Sequence, residues 1–209
     1  DLSGKKVLVL GTGGTSKTAC AVASDLGARE ILTVSRRKSD ENITYEEATE
    51  LHSDAEIIIN TTPSGMYPDI ESKPIDISPF SHLMGVVDAV YNPICTNLVL
   101  DARNRGIKAE GGLYMLVAQA VRASEIFLNI KYEDNTTKEV YNRILREKEN
   151  IVLIGMPASG KTTVAEILAK RLGRQVYDTD EIIKNLAGMQ IPEIFEERGE
   201  CGFRDLESE

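Results

Sequence analysis

A chain of 209 residues that is 42% hydrophobic holds enough apolar material for one full core and part of a second. Its net charge of −9 and pI of 4.9 exclude the basic face of a general nucleic-acid binder. Cys20, Cys95 and Cys201 form no CxxC pair, so neither a disulfide framework nor a zinc site is expected. No apolar run reaches membrane-spanning length and no signal peptide opens the chain, so no membrane partner is expected and a reduced cytoplasm is the expected compartment.

Lys5–Leu10 is a continuous apolar, β-branched run after its first residues and predicts a fully buried parallel strand. Ala19, Val22, Ala23 and Leu26 then recur at helical spacing, and Gly27 stands where a C-cap glycine belongs. Glu30–Val34, Glu56–Ile59, Gly85–Val90 and a short piece at Ile107–Ala109 supply further strands, and Gly111–Phe127 holds a long helix. This alternation predicts an α/β fold, a doubly wound parallel sheet of the Rossmann type.

Lys131–Asn150 is polar and reads as a junction ending in a short helix with Val140, Ile144 and Leu145 on one face. A second unit follows: a strand at Ile151–Ile154, a glycine-rich turn, and a helix with Val164, Ile167, Leu168 and Leu172 on one face, stopped by Gly173. Gln175–Tyr177 predicts another short strand. The expected organisation is a dinucleotide domain at 1–130, a linker at 131–149 and the start of a P-loop α/β domain at 150–209. P-loop kinase domains need roughly 100 residues or more, so the chain is expected to be an excerpt of a longer polypeptide.

Gly11-Thr12-Gly13-Gly14 closes the first strand and opens the first helix. Backbone N–H groups and the positive helix end hold phosphate oxygens at such turns, although a glycine turn can also be merely a tight connection. Ser16 stands where the third glycine of GxGxxG would be, small enough for close helix–strand packing. The second strand ends in Ser35-Arg36-Arg37-Lys38-Ser39, where an NAD site would place a carboxylate. A cationic cluster there suits a 2′-phosphate and points to NADP(H); the alternative is a solvated basic loop.

Gly155-Met156-Pro157-Ala158-Ser159-Gly160-Lys161-Thr162 fits GxxxxGKT between a strand and a helix. Its backbone would wrap phosphates, Lys161 would span the β- and γ-phosphates, and Thr162 would offer a hydroxyl to Mg2+. Beyond it lie Asp178 and Asp180, then Phe195, Gly199, Glu200, Phe203 and Arg204. Read alone, these could be a solvated loop and an acidic surface helix.

Three ordered motifs make the first part specific. Asn60-Thr61-Thr62-Pro63-Ser64-Gly65-Met66, then Asp88-Ala89-Val90-Tyr91-Asn92-Pro93 with Thr96, then Gly111-Gly112-Leu113-Tyr114-Met115-Leu116-Val117-Ala118-Gln119-Ala120 resemble the successive motifs of shikimate dehydrogenases. The resemblance runs from about Leu2 to Phe127. It implies that Gly11, Gly13, Gly14 and Thr15 line the pyrophosphate, Arg36 meets the 2′-phosphate, and Ser35 lies on the adenine side, in a Ser-Arg-Arg that replaces the family's frequent Asn-Arg-Thr. Asn60 and Thr61 would lie along the cofactor with Met66 nearby, Gly112 and Met115 would flank the nicotinamide, and Tyr91 and Gln119 would reach the substrate. The family's catalytic Lys–Asp pair belongs to a substrate domain that has no counterpart in this sequence.

The second part resembles shikimate kinases. That resemblance implies ATP contacts from Gly155, Pro157, Ala158, Ser159, Gly160, Lys161, Thr162 and Thr163, with Thr162 and Asp178 at the Mg2+ shell. Lys161 and Asp180 would be catalytic, Asp180 also touching shikimate hydroxyls, Arg204 would pair with the shikimate carboxylate, and Phe195 and Phe203 would wall the pocket. The family's lid and adenine-side segment have no counterpart here. Together the two resemblances imply a fused shikimate-pathway enzyme acting on 3-dehydroshikimate and shikimate, whose flanking domains complete both sites. The alternatives are a quinate/shikimate dehydrogenase joined to another small-molecule P-loop kinase, and a non-catalytic nucleotide-binding module.

Overall fold

The computed structural model describes residues 1–156 and 159–208, which fall into two compact units, Asp1–Lys148 and Glu149–Glu209. The first is built on β1 (Lys6–Leu10), β2 (Glu30–Val34), β3 (Ile57–Asn60), β4 (Gly85–Asp88) and β5 (Lys108–Glu110). All pairings are parallel, in the order β2-β1-β3-β4-β5. β1 lies inside the sheet between β2 and β3 and is buried at every position, which is why its sequence is apolar from Val7 to Leu10.

The two-residue period of β1 divides the core. Leu8 and Leu10 face one side with Val34, Ile58, Val86, Leu98 and Ala102, and Val7 and Val9 face the other with Ala23 and Ile57. Helix α1 (Gly14–Asp25) contributes Ala23 to the second side. Helices α2 (Tyr45–Leu51) and α3 (Asn97–Asn104) contribute Ala48, Leu98 and Ala102 to the first. Neither short helix is predicted above, although Thr44 and Glu47 form a reciprocal capping box at the start of α2, a pattern the sequence carries as T-x-x-E.

The crossover from β3 to β4 has no helix. Ile75, Ile77, Phe80 and Leu83 instead plug that irregular segment into the core, with Phe80 fully buried. Helix α4 (Leu113–Leu128) is followed by α5 (Thr136–Lys148), a full 13-residue helix rather than a short one. Tyr114 of α4 meets Tyr141 of α5 edge to face at 5.6 Å, so the junction helix packs within the first unit.

The second unit contains α6 (Lys161–Leu172), α7 (Thr179–Ala187) and α8 (Ile191–Ser208). Gly173 ends α6 in the left-handed conformation, φ 64°, as its position predicts. The strands expected at Ile151–Ile154 and Gln175–Tyr177 are not formed among the described residues. A buried parallel strand exists through its neighbours' hydrogen bonds, and here Val152 and Ile154 stand 77% and 89% exposed. The apolar run is present, but no ladder covers it.

The backbone of the first unit predicts two opposite responses to alanine. A Cβ at Gly112 would lie 2.2 Å from the Ala89 carbonyl oxygen and 2.6 Å from its carbon, whereas one at Gly13 would meet nothing within 4 Å. Gly112→Ala is expected to destabilise the unit by about 2–4 kcal/mol and Gly13→Ala, which costs only a glycine N-cap, by about 1 kcal/mol or less, read from urea midpoints at constant slope.

Candidate functional site

The strand order reverses direction between β1 and β3, so their carboxyl ends open a crevice, the usual ligand position in such sheets. Gly11 leaves β1 at φ 106°, and a Cβ there would come within 2.9 Å of Thr61 Oγ1. Thr61 itself closes over the turn, its hydroxyl donating to the Leu10 carbonyl at 2.5 Å. Gly13 is the N-cap of α1 and brings no side-chain cap, and around both Gly13 and Gly14 the space is open. Thr15 is exposed in the first turn, while Ser16 is buried against the sheet, the packing place predicted for it.

Arg36 is exposed directly after β2, on the same edge of the sheet as this turn. The loop carrying it is fixed from behind. Ser35 N–H donates to the Ile43 carbonyl at 2.9 Å and its hydroxyl accepts from Arg37 N–H at 3.2 Å. Lys38 is ion-paired to Glu47, and that contact leads the lowering of the Glu47 carboxyl pKa. Among the described residues Arg36 and Arg37 form no ion pair with a carboxylate, and both are exposed. Tyr45, half buried behind the loop, has its phenol pKa raised by burial, with the Arg36 charge opposing.

Across the crevice stands a buried polar network. Asp88, the last residue of β4, has no solvent exposure. Its Oδ1 accepts from Asn60 Nδ2 at 2.9 Å and Val90 N–H at 3.0 Å, and its Oδ2 accepts from the Thr96 hydroxyl at 2.6 Å. Burial raises the Asp88 pKa, and the bonds from Thr96, Val90 and Asn60 oppose the rise. Asn60 is equally buried, its carbonyl oxygen accepting from Thr62 N–H at 3.0 Å and the Thr62 hydroxyl at 2.7 Å. Every polar atom of Asn60 therefore works inside the protein. The side chain thereby braces the Thr61–Thr62 ridge from below. Thr62 and Thr96 carry no separate role in the expectations above, although both stand in the quoted motifs beside Asn60 and Asp88.

The opposite lip brings together several expected residues. Gly112 N–H donates to the Val90 carbonyl at 2.8 Å, and Tyr67 N–H to the Asn92 carbonyl at 3.0 Å. These bonds set Gly112, Tyr91 and the Met66–Tyr67 segment side by side. Met66, Tyr91 and Met115 are 41%, 47% and 46% exposed, unburied apolar surface around the mouth of the crevice. Gln119 is exposed on α4, about 10 Å along the axis from Gly112.

In the second unit, Gly160 precedes α6 at φ 85°, and Thr162 and Thr163 are exposed in its first turn. Lys161 Nζ donates to the Gly155 and Met156 carbonyls at 2.8 and 2.9 Å, and Ser159 N–H closes the turn onto the Met156 carbonyl at 3.2 Å. Pro157 and Ala158 lie outside the described residues. Asp178 caps α7, one oxygen accepting from Asp180 N–H at 3.0 Å, and Asp180 is exposed in the first turn. Among the described residues no cluster of three or more histidine, cysteine or acidic groups could hold a metal alone. Helix α8 bends at Gly199, φ 68° and ψ −175°. In a straight helix Phe195 and Phe203 would be about 12 Å apart along the axis; the bend stacks them with centroids 4.7 Å apart. Arg204 pairs with Glu200 at 2.7 Å, both side chains 70% exposed.

Among the described residues no helix is long and apolar enough to cross a membrane. Residues 157–209 match the shikimate kinase family. A shikimate dehydrogenase (NADP(+)) of Clostridium perfringens is 35% identical over 154 residues, covering 69% of this chain and 56% of that protein. Among solved structures, shikimate dehydrogenase 1 of Peptoclostridium difficile aligns with a TM-score of 0.66 at 34% identity, over 72% of this chain and 57% of that one. The chorismate mutase/shikimate 5-dehydrogenase fusion of Clostridium acetobutylicum aligns with a TM-score of 0.66 at 30% identity, over 71% and 57%. The chain thus spans little more than half the length of the dehydrogenases it matches. With the sheet order, the crevice and these relatives in agreement, the chain joins a Rossmann-type portion related to the shikimate dehydrogenases to a segment matching the shikimate kinases.

Proposed function

We propose that the first unit binds NADP(H), that the second binds ATP with Mg2+, and that the protein reduces 3-dehydroshikimate to shikimate and then phosphorylates the shikimate 3-hydroxyl. The observation that carries the first half is the open space at Gly13 and Gly14. Nothing inside the protein requires glycine there, whereas a pyrophosphate seated on the α1 N–H groups does. Arg36, exposed one strand over, supplies the cation for a 2′-phosphate. When bound, NADPH supplies the hydride and ATP the phosphoryl group; the chain's own residues seat and orient them.

In the second half, Lys161 rests on two neutral carbonyls. Phosphate oxygens are stronger acceptors, so a triphosphate would draw the ammonium onto itself. Mg2+ is usually held by substrate phosphates with one or two protein oxygens, and Thr162 and Asp178 are the groups proposed for it. Asp180 is proposed to hold the shikimate hydroxyls and take the proton of the attacked one. The Arg204–Glu200 pair is an exposed i,i+4 contact worth about 0.3–0.5 kcal/mol, weak enough to be exchanged for a substrate carboxylate. The stacked Phe195 and Phe203 would wall that pocket. Flanking domains of the same protein would complete both sites.

The cofactor reading predicts that the chain binds NADPH at least tenfold more tightly than NADH, because one charge-assisted contact is worth about 1.5–3 kcal/mol. Fluorescence titration of both, with wild type and Arg36→Ala, checks this. Equal affinities, or a variant that keeps the preference, would remove the NADP assignment.

The kinase reading predicts a split between two variants. Lys161→Ala should weaken MgATP binding by about tenfold or more without affecting shikimate, and Arg204→Ala should do the reverse. Calorimetric titration of each ligand decides it. An Arg204→Ala chain that binds shikimate as wild type does would sink the shikimate assignment and leave the nucleotide site standing.

A further inference from the structure

Asp88 is a carboxylate with no solvent exposure, and no cationic side chain enters its environment among the described residues. The positive end of α3, capped by Thr96, is the compensation in view. Its hydrogen bonds do not demand a charge. An asparagine could keep the Oδ1 contacts with Asn60 and Val90 and donate through Nδ2 to the Thr96 oxygen, and it would avoid the cost of desolvating an anion. A negative charge at this position would therefore be stabilised by a positive partner beyond that helix end, and no side chain among the described residues supplies one.

The strand order says where such a partner could come from. With Arg36 after β2 and the glycine turn after β1, a dinucleotide seated at both has its adenosine half over the β2 side. Its other half must run the opposite way, over the ends of β3 and β4. Two strand spacings, roughly 10 Å, separate β1 from β4, a span that a pyrophosphate, ribose and ring can cover. Asp88 ends β4, and the Ala89–Val90 turn it holds through the Val90 N–H is the surface on which Gly112 closes.

Resting on the dinucleotide reading above, we infer that the buried Asp88 carboxylate favours the oxidised cofactor, its negative charge lying beneath the ring that is cationic in NADP+ and neutral in NADPH. Asp88 acts through the field of its charge and touches neither cofactor nor substrate. It stabilises one redox form relative to the other, so it sets the ratio of the two dissociation constants rather than their common magnitude. Two unit charges about 10–15 Å apart at an effective dielectric constant of about 20 shift an equilibrium by a factor of about five to twenty.

The test titrates NADP+ and NADPH separately into the whole chain, wild type and Asp88→Asn. The expected result is a Kd for NADP+ that rises about five- to twentyfold relative to that for NADPH. A loss shared equally by both forms means that Asp88 only shapes the floor, and overturns the inference while the cofactor reading stands. A wild-type chain that binds neither form fails the cofactor reading itself. Should Asp88→Asn not fold, the wild type supplies a second readout. A buried charge is little screened, so the ratio of the two constants should stay within about twofold between roughly 0.05 and 0.5 M salt. A ratio that moves more than that assigns the discrimination to surface charges and overturns the inference.

Discussion

Asp88 ends β4 out of reach of water, so its oxygens must find donors within the protein. The donors available belong to three different segments: Asn60 at the end of β3, Val90 in the turn after β4, and Thr96 at the start of α3. Meeting them fixes the relative positions of two strand ends and a helix start. Asn60 passes the constraint to Thr62, and Thr62 Oγ1 accepts from Ser64 N–H at 3.3 Å. Val90 passes it to Gly112 and thus to α4. The far side of the crevice is shaped by this one group, in a region without regular hydrogen-bond ladders.

The glycines of the first unit separate into those the protein needs for itself and those it does not. Gly11, Gly111 and Gly112 each face another stretch of backbone or a fixed side chain so closely that a Cβ would overlap it. These positions are explained by packing, even where they adjoin the proposed cofactor. Gly13 and Gly14 face open space, and packing gives them no reason. That contrast distinguishes a phosphate seat from a tight connection more sharply than the glycine spacing alone.

The two units differ in how far their apolar patterns are realised. In the first, every predicted strand finds a parallel neighbour, and β1 has zero exposure from Val7 to Leu10. In the second, the helices form, Ile183 and Ile194 are buried, and the bend at Gly199 stacks the two phenylalanines. Its two apolar runs nevertheless lie outside any ladder. Helical hydrogen bonds close within a segment, while strand hydrogen bonds need a partner elsewhere in the chain.

What the sequence by itself determined follows the same division. The five strands, the long helix α4, the glycine turns, the Gly173 stop and the cationic end of β2 were all legible, because each depends on local periodicity or a local conformational demand. Helices α2 and α3 lie outside the predicted elements, although Thr44-x-x-Glu47 announces one of them. The helix-free plug around Phe80 carried no period to read. Tertiary structure alone decided that Asn60 faces inward, that Asp88 is stripped of water, and that Lys38 is tied to Glu47 while Arg36 is left exposed. Those facts turn on which groups meet across tens of residues. Spacing along a chain encodes the faces of its elements, but the partner that each buried polar atom finds is fixed only when those faces close on one another.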